Sequence, residues 1–200
     1  MGNRREFVQG TLGLALVAGL GHMPDAMATG DGRQTVPLYK VIFDSRFADG
    51  RRYADEARLL GVATHAITGD ITDLWFTDLD ARWRDRKVAV AGLTTQSALF
   101  CLERLSWDHQ MRVIFRAEHE LSAAGYIEHT VSCSRDSLDP LRVMAIDAGG
   151  WAPRIAHLQR SIPETRAPEV VHTFTTPAGS PRVGDAELLV SWLIAPAFRR

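Results

Sequence analysis

The stretch KVAVAGLTTQSALFCLERLSWDH, residues 87–109, changes its hydrophobic period in the middle. Lys87 to Leu93 is a short run of small and β-branched apolar residues, the pattern of a strand buried on both faces. Gln96 to His109 repeats at helical spacing, with Ala98, Leu102 and Leu105 on one stripe. Between them, Gly92-Leu93-Thr94-Thr95-Gln96-Ser97 is a polar join with no proline. A strand followed directly by a helix is the unit from which parallel sheets are built.

Working outward, the same alternation repeats. Leu38 to Phe43 reads as a strand and Phe47 to Leu60 as a helix, with Phe47, Gly50, Ala54, Ala57 and Leu60 on one face. Val62 to Thr68 is a second strand. Ile71 to Trp83 is helical, with Ile71, Leu74, Trp75, Leu79 and Trp83 aligned. Met111 to Phe115 is a fourth strand. The pattern predicts an α/β fold, a three-layer Rossmann-like or flavodoxin-like parallel sheet in the order β-α-β-α-β-α-β over residues 38–118. Beyond it, residues 119–200 change character. Tyr126–Cys133, Leu141–Ile146, Val170–Thr176 and Leu188–Ile194 read as strands separated by glycine and proline, an antiparallel and loop-rich extension at the sheet edge. Residues 38–200 are expected to form a single domain.

Composition bounds the function. The chain has 200 residues, 46% of them hydrophobic, with 23 Lys+Arg against 24 Asp+Glu and a formal net charge of −1. That balance disfavours nucleic acid held by bulk charge and a polybasic membrane-surface role. Cys101 and Cys133 are too few for a disulfide framework or a four-cysteine zinc site. They either pair in an oxidising compartment or sit apart as buried thiols.

The first 28 residues read as an address, not as part of the fold. Arg4, Arg5 and Phe7 precede an uncharged, Gly- and Leu-containing run from Gly10 to Gly21, and Ala26-Met27-Ala28 follows as a small-x-small cleavage pattern. The run is too short for a permanent membrane anchor, which needs about 20 apolar residues. This segment resembles the twin-arginine (Tat) export signal. The resemblance implies export to the periplasm after folding, by way of the Tat translocase. Residues 29–37 read as a flexible lead-in.

In an open parallel sheet, ligands bind beyond the carboxyl ends of the strands. That rule selects Asp44, Ser45 and Arg46 after the first strand and Asp70 after the second. It selects Thr94, Thr95, Gln96 and Ser97 after the third, and Arg116, Glu118 and His119 after the fourth. Backbone N–H groups and hydroxyls at a helix start suit an anion, and Arg46 or Arg116 adds a bidentate donor. Thr94, Thr95, Ser97 and Asp70 also suit simple helix capping. The expected anion site is Ser45, Arg46, Asp70, Thr94, Thr95, Gln96, Ser97 and Arg116. Ser45 beside His119 would make a nucleophile and base, but no G-x-S-x-G elbow accompanies them. His119 and His129 face one another if their strands form a hairpin, which makes them weak metal candidates. Their spacing matches no metal motif, and charges alternating on a solvated strand explain it as simply.

No motif names a cofactor, and no dinucleotide or P-loop fingerprint occurs. The export signal joined to such a domain suggests an accessory protein, the small subunit or escort of a larger cofactor-containing redox enzyme. That reading expects an exposed apolar patch around Trp151 and residues 188–194. The alternative is a stand-alone periplasmic protein that binds or acts on a small anionic ligand, phosphate or carboxylate.

Overall fold

Among the described residues, seven strands form one sheet: β1 (Leu38–Asp44), β2 (Thr64–Ile67), β3 (Ala89–Thr95), β4 (Met111–Leu121), β5 (Tyr126–Ser134), β6 (Glu169–Pro177) and β7 (Leu189–Pro196). Their order is β2-β1-β3-β7-β4-β5-β6. The computed structural model describes residues 35–122, 125–137, 150–163, 168–177 and 188–197. The segment 1–28, with Arg4, Arg5, Phe7, Ala26 and Ala28, lies outside them, as does the strand expected over 141–146.

The α/β class holds, but the sheet is mixed. β1 pairs in parallel with β2 and β3. The fourth strand does not join them. β7 inserts between β3 and β4 and runs antiparallel to both, so β4 keeps the direction of β3 without touching it. Antiparallel strands are therefore not only added at the edge of a parallel core; one of them splits it. The physical reason is in β7 itself. Leu189 to Ala195 is buried without interruption, the profile of a central strand and not of an edge. β4 is also longer than expected, and Arg116, Glu118 and His119 lie within it instead of beyond its end.

Among the described residues, five α-helical segments accompany the sheet: α1 (Ala48–Leu59), α2 (Thr72–Leu74), α3 (Asp80–Asp85), α4 (Gln96–Asp108) and α5 (Trp151–Ser161). A π-helical turn, Trp75–Leu79, joins α2 to α3. Buried side chains form two clusters. One joins α1 and α5 to a face of the sheet through Phe43, Tyr53, Leu93, Phe115, Ile155 and Leu193. The other joins α2, the π turn, α3 and α4 to strand residues such as Ile42, Val90, Met111 and Trp192. Neighbouring residues of β1 alternate between the two clusters, Val41 and Phe43 in the first and Ile42 in the second.

α5 occupies part of the stretch expected to be loop between the strands of residues 119–200, and it opens on Trp151-Ala152-Pro153. Proline is tolerated in the first helical turn, where its missing N–H would lack a partner anyway. Trp151 is buried at 4% exposure and Leu189 to Ile194 are buried too, so these residues do not supply the exposed apolar patch expected of them. The end of the expected lead-in is docked: Thr35 bridges Pro163, and the Val36 N–H donates to Ile162 O at 3.1 Å.

Gly92 shows how tightly β7 is seated. It pairs with Trp192, and a Cβ there would lie 2.3 Å from Trp192 Cζ2 and 2.8 Å from Ile42 O. Behind this contact, Gln159 of α5 donates to Trp192 O at 2.9 Å and Gly92 O at 3.3 Å, and accepts from the buried Tyr53 hydroxyl. Burial pushes that hydroxyl's pKa well above its ordinary value. Among the described residues no helix is long and apolar enough to cross a membrane.

Candidate functional site

The chain steps from β1 to β2 on one side and then to β3 on the other. The crevice between the carboxyl ends of β1 and β3 is thus the switch point where open sheets of this kind hold ligands. Each expected site residue has a definite role around it.

At the end of β1, the fully buried Asp44 holds Arg46. Nε donates to Oδ1 at 3.0 Å, Nη2 to Oδ2 at 2.7 Å, and the Arg46 backbone N–H to Oδ1 at 3.1 Å. A buried carboxylate needs such a partner, so the fork of Arg46 is already engaged. Gly69 lies against it with φ +91°, and a Cβ there would come within 2.9 Å of Arg46 Nη2. The positive φ is what favours glycine here. Ser45 Oγ donates to Ile67 O at 3.0 Å, which ties the ends of β1 and β2 together. It is not aimed at His119.

Asp70 accepts from Thr72 N–H at 2.8 Å and from Thr72 Oγ1 at 2.7 Å, an Asx-type turn at the entry to α2. The Thr72 hydroxyl and amide hold its carboxyl below the ordinary value. Ser45, Arg46 and Asp70 therefore brace the strand ends.

At the end of β3 the picture differs. Thr94 is buried and accepts from Trp192 Nε1 at 2.9 Å, so it belongs to the β7 contact and not to a ligand. Thr95 precedes α4 but makes no side-chain cap. Its Oγ1 lies 3.0 Å from Ser97 Oγ instead. Arg116 reaches from β4 to Gln96, with Nη2 2.8 Å from Oε1, and to Glu118 at 3.2 Å. Both contacts use Nη2, which leaves Nη1 and Nε as donors. Gln96 and Ser97 line a cavity of about 510 Å³ completed by Phe100, Cys101 and Leu188. Thr95, Gln96, Ser97 and Arg116 thus come together. Ser45, Arg46 and Asp70 form a separate cluster on the neighbouring strands.

His119 and His129 pair across the β4–β5 hairpin, as the spacing suggests. They are fully buried, not solvated. Their Nδ1 atoms lie 2.7 Å apart, His119 Nε2 lies 2.8 Å from Ser191 Oγ, and His129 Nε2 lies 2.8 Å from Thr176 Oγ1. Trp151 packs on both rings. The arrangement is a four-membered hydrogen-bond chain. Among the described residues no three His, Cys, Asp or Glu side chains gather as a metal site. The sequence gives no local sign of Ser191 and Thr176 as members of this chain.

Cys101 and Cys133 are unpaired thiols. Cys101 is exposed at the cavity rim. Cys133 is buried, and burial with the nearby Glu169 carboxylate raises its pKa to about 11.

Known proteins offer no guide, because the chain matches no protein family, no curated protein and no solved structure.

Proposed function

We propose that this chain is an exported α/β binding protein that takes a small anionic ligand, carboxylate or phosphate, at the start of α4. One observation carries the reading. A helix of thirteen residues begins at a strand end with no side-chain cap, beside paired hydroxyls, an arginine with donors to spare and a cavity. The first N–H groups of a helix need acceptors, and an anion supplies them while favouring the positive end of the helix dipole. The largely apolar lining, Phe100 and Leu188, favours a carboxylate with an apolar body. Arg116 is the direct charge partner. Arg46 is committed to Asp44.

The export signature at Arg4 and Arg5 supports a periplasmic location. A second reading, an accessory subunit of a larger redox enzyme, draws on a different observation. Phe100 and Trp107 are 58% and 42% exposed, seven residues apart and so on one face of α4. Native mass spectrometry of the envelope fraction separates the two readings, because the second requires a co-purifying partner. For the first, a melting screen with inorganic phosphate and small carboxylates is the test. Ligand at 100 times its Kd raises stability by about 2.7 kcal/mol, and Arg116→Gln and Thr95→Val are expected to abolish the shift.

A further inference from the structure

At the opposite end of α4, about 20 Å away by helix length, lies a second groove of about 650 Å³. Two backbone irregularities build it. The first is the π turn Trp75–Leu79, in which the Asp80 N–H donates to Trp75 O. An α-helix would stack Leu79 one turn above Trp75; the wider turn stacks Asp80 there instead. Leu79 stays in the core, and both Trp75 and Asp80 meet His109. The Trp75 ring meets the imidazole edge-on with centroids 5.4 Å apart, and Asp80 Oδ1 lies 3.3 Å from Nε2.

The second irregularity is Gln110, at φ +58° the one non-glycine residue in the left-handed region among those described. Glycine is the usual residue after a helix end. Here a side chain is kept, and its Oε1 accepts from Lys87 Nζ across the groove. Distortions of this kind persist where the surroundings require them and concentrate at binding sites.

The charges around the groove sort themselves. Asp80 is matched by Arg84 at 2.6 Å and also contacts His109 Nε2. Among the described residues, Lys87 meets only the neutral Gln110 and Asp108 has no cationic partner. Both are exposed and both line the groove, yet they form no ion pair with one another. One unmatched base, one unmatched acid and a wall of Trp75, Phe76 and Leu105 complement a zwitterion with a large apolar side chain. The volume lies within the ~300–1,000 Å³ range of small-molecule pockets.

We propose that this groove binds a free aromatic amino acid, with its carboxylate on Lys87, its ammonium on Asp108 and its ring against Trp75 and Phe76. The site is independent of the one at the start of α4. The test titrates the full chain with L-phenylalanine, phenethylamine and 3-phenylpropionate and follows tryptophan fluorescence, since Trp75 and Trp83 flank the groove. L-Phenylalanine is expected to saturate the signal below about 10 mM, and each analogue lacking one charge to bind about tenfold more weakly. Lys87→Gln should erase the preference over phenethylamine alone. Asp108→Asn should erase the preference over 3-phenylpropionate alone. Both are surface changes, and unchanged melting temperatures verify the fold. Thr95→Val, at the other site, should leave the titration as it is. No saturable binding, equal binding of all three compounds, or preferences that survive both substitutions would overturn the proposal.

Discussion

His119 and His129 show how much of a site pair spacing reveals and where it stops. Two histidines ten residues apart in a hairpin are placed opposite one another by strand register, which the sequence carries. Their outer partners are not local: Ser191 is 72 residues from His119, and Thr176 is 47 from His129. Only the assembled sheet brings them in. A buried polar chain of this kind is costly to break, because each orphaned group keeps its desolvation penalty. His119→Leu leaves Ser191 Oγ and His129 Nδ1 without this partner. It is expected to cost about 2 kcal/mol, read as a lower urea midpoint at unchanged slope. The cysteines give a second prediction at this scale. Cys101 is exposed, and it should react with a thiol reagent in the native protein at pH 8. Cys133, buried and with its pKa raised to about 11, should react only on unfolding. Equal native reactivity of both would refute their assignment.

Among the elements, the strand–helix alternation over residues 38–115 is legible because most of its strands carry a short apolar run and its helices their own stripes. α5 is hidden for a local reason. Its first residues, Trp151-Ala152-Pro153 after two glycines, carry loop chemistry, while its apolar stripe through Ile155, Ala156 and Leu158 emerges only later. The π turn is hidden for another: one inserted residue leaves Trp75, Leu79 and Trp83 all buried, as an ordinary helix would. Asp70 acts at this scale, since it fixes the entry to α2. Its carboxyl pKa is depressed below the ordinary 3.8 by the Thr72 hydroxyl and amide. A depressed acid contributes stability above its unfolded pKa and loses it as pH falls through the folded one. Asp70→Ala is therefore expected to melt below the wild type at neutral pH, with a gap that narrows as pH drops below about 3.8. A gap constant with pH would show that the carboxylate is not the cause.

For the whole molecule, the decisive feature is β7. Its apolar run is plain in the sequence, but its place between β3 and β4 is not, because strand order depends on contacts about a hundred residues apart. Gly92 records that placement. Adding a methyl group there drives into Trp192 and Ile42 O, and Gly92→Ala is expected to lose about 1–3 kcal/mol. A neutral effect would mean that β7 does not sit tightly on β3. By pairing with β3 and β4, β7 also carries Leu188 to the mouth of the cavity beside α4 and sets Arg116 within reach of Gln96. Of the residues expected at the anion site, Thr95, Gln96, Ser97 and Arg116 are the contacts proposed, while Thr94 is tied to Trp192 and Ser45, Arg46 and Asp70 brace the ends of β1 and β2. The most direct test of this account is a backbone amide chemical-shift titration with acetate and inorganic phosphate. The account predicts saturable shifts centred on the N–H groups of Gln96, Ser97 and Ala98, lost in Arg116→Gln. Shifts centred elsewhere, or none at concentrations that saturate ordinary anion sites, would contradict it.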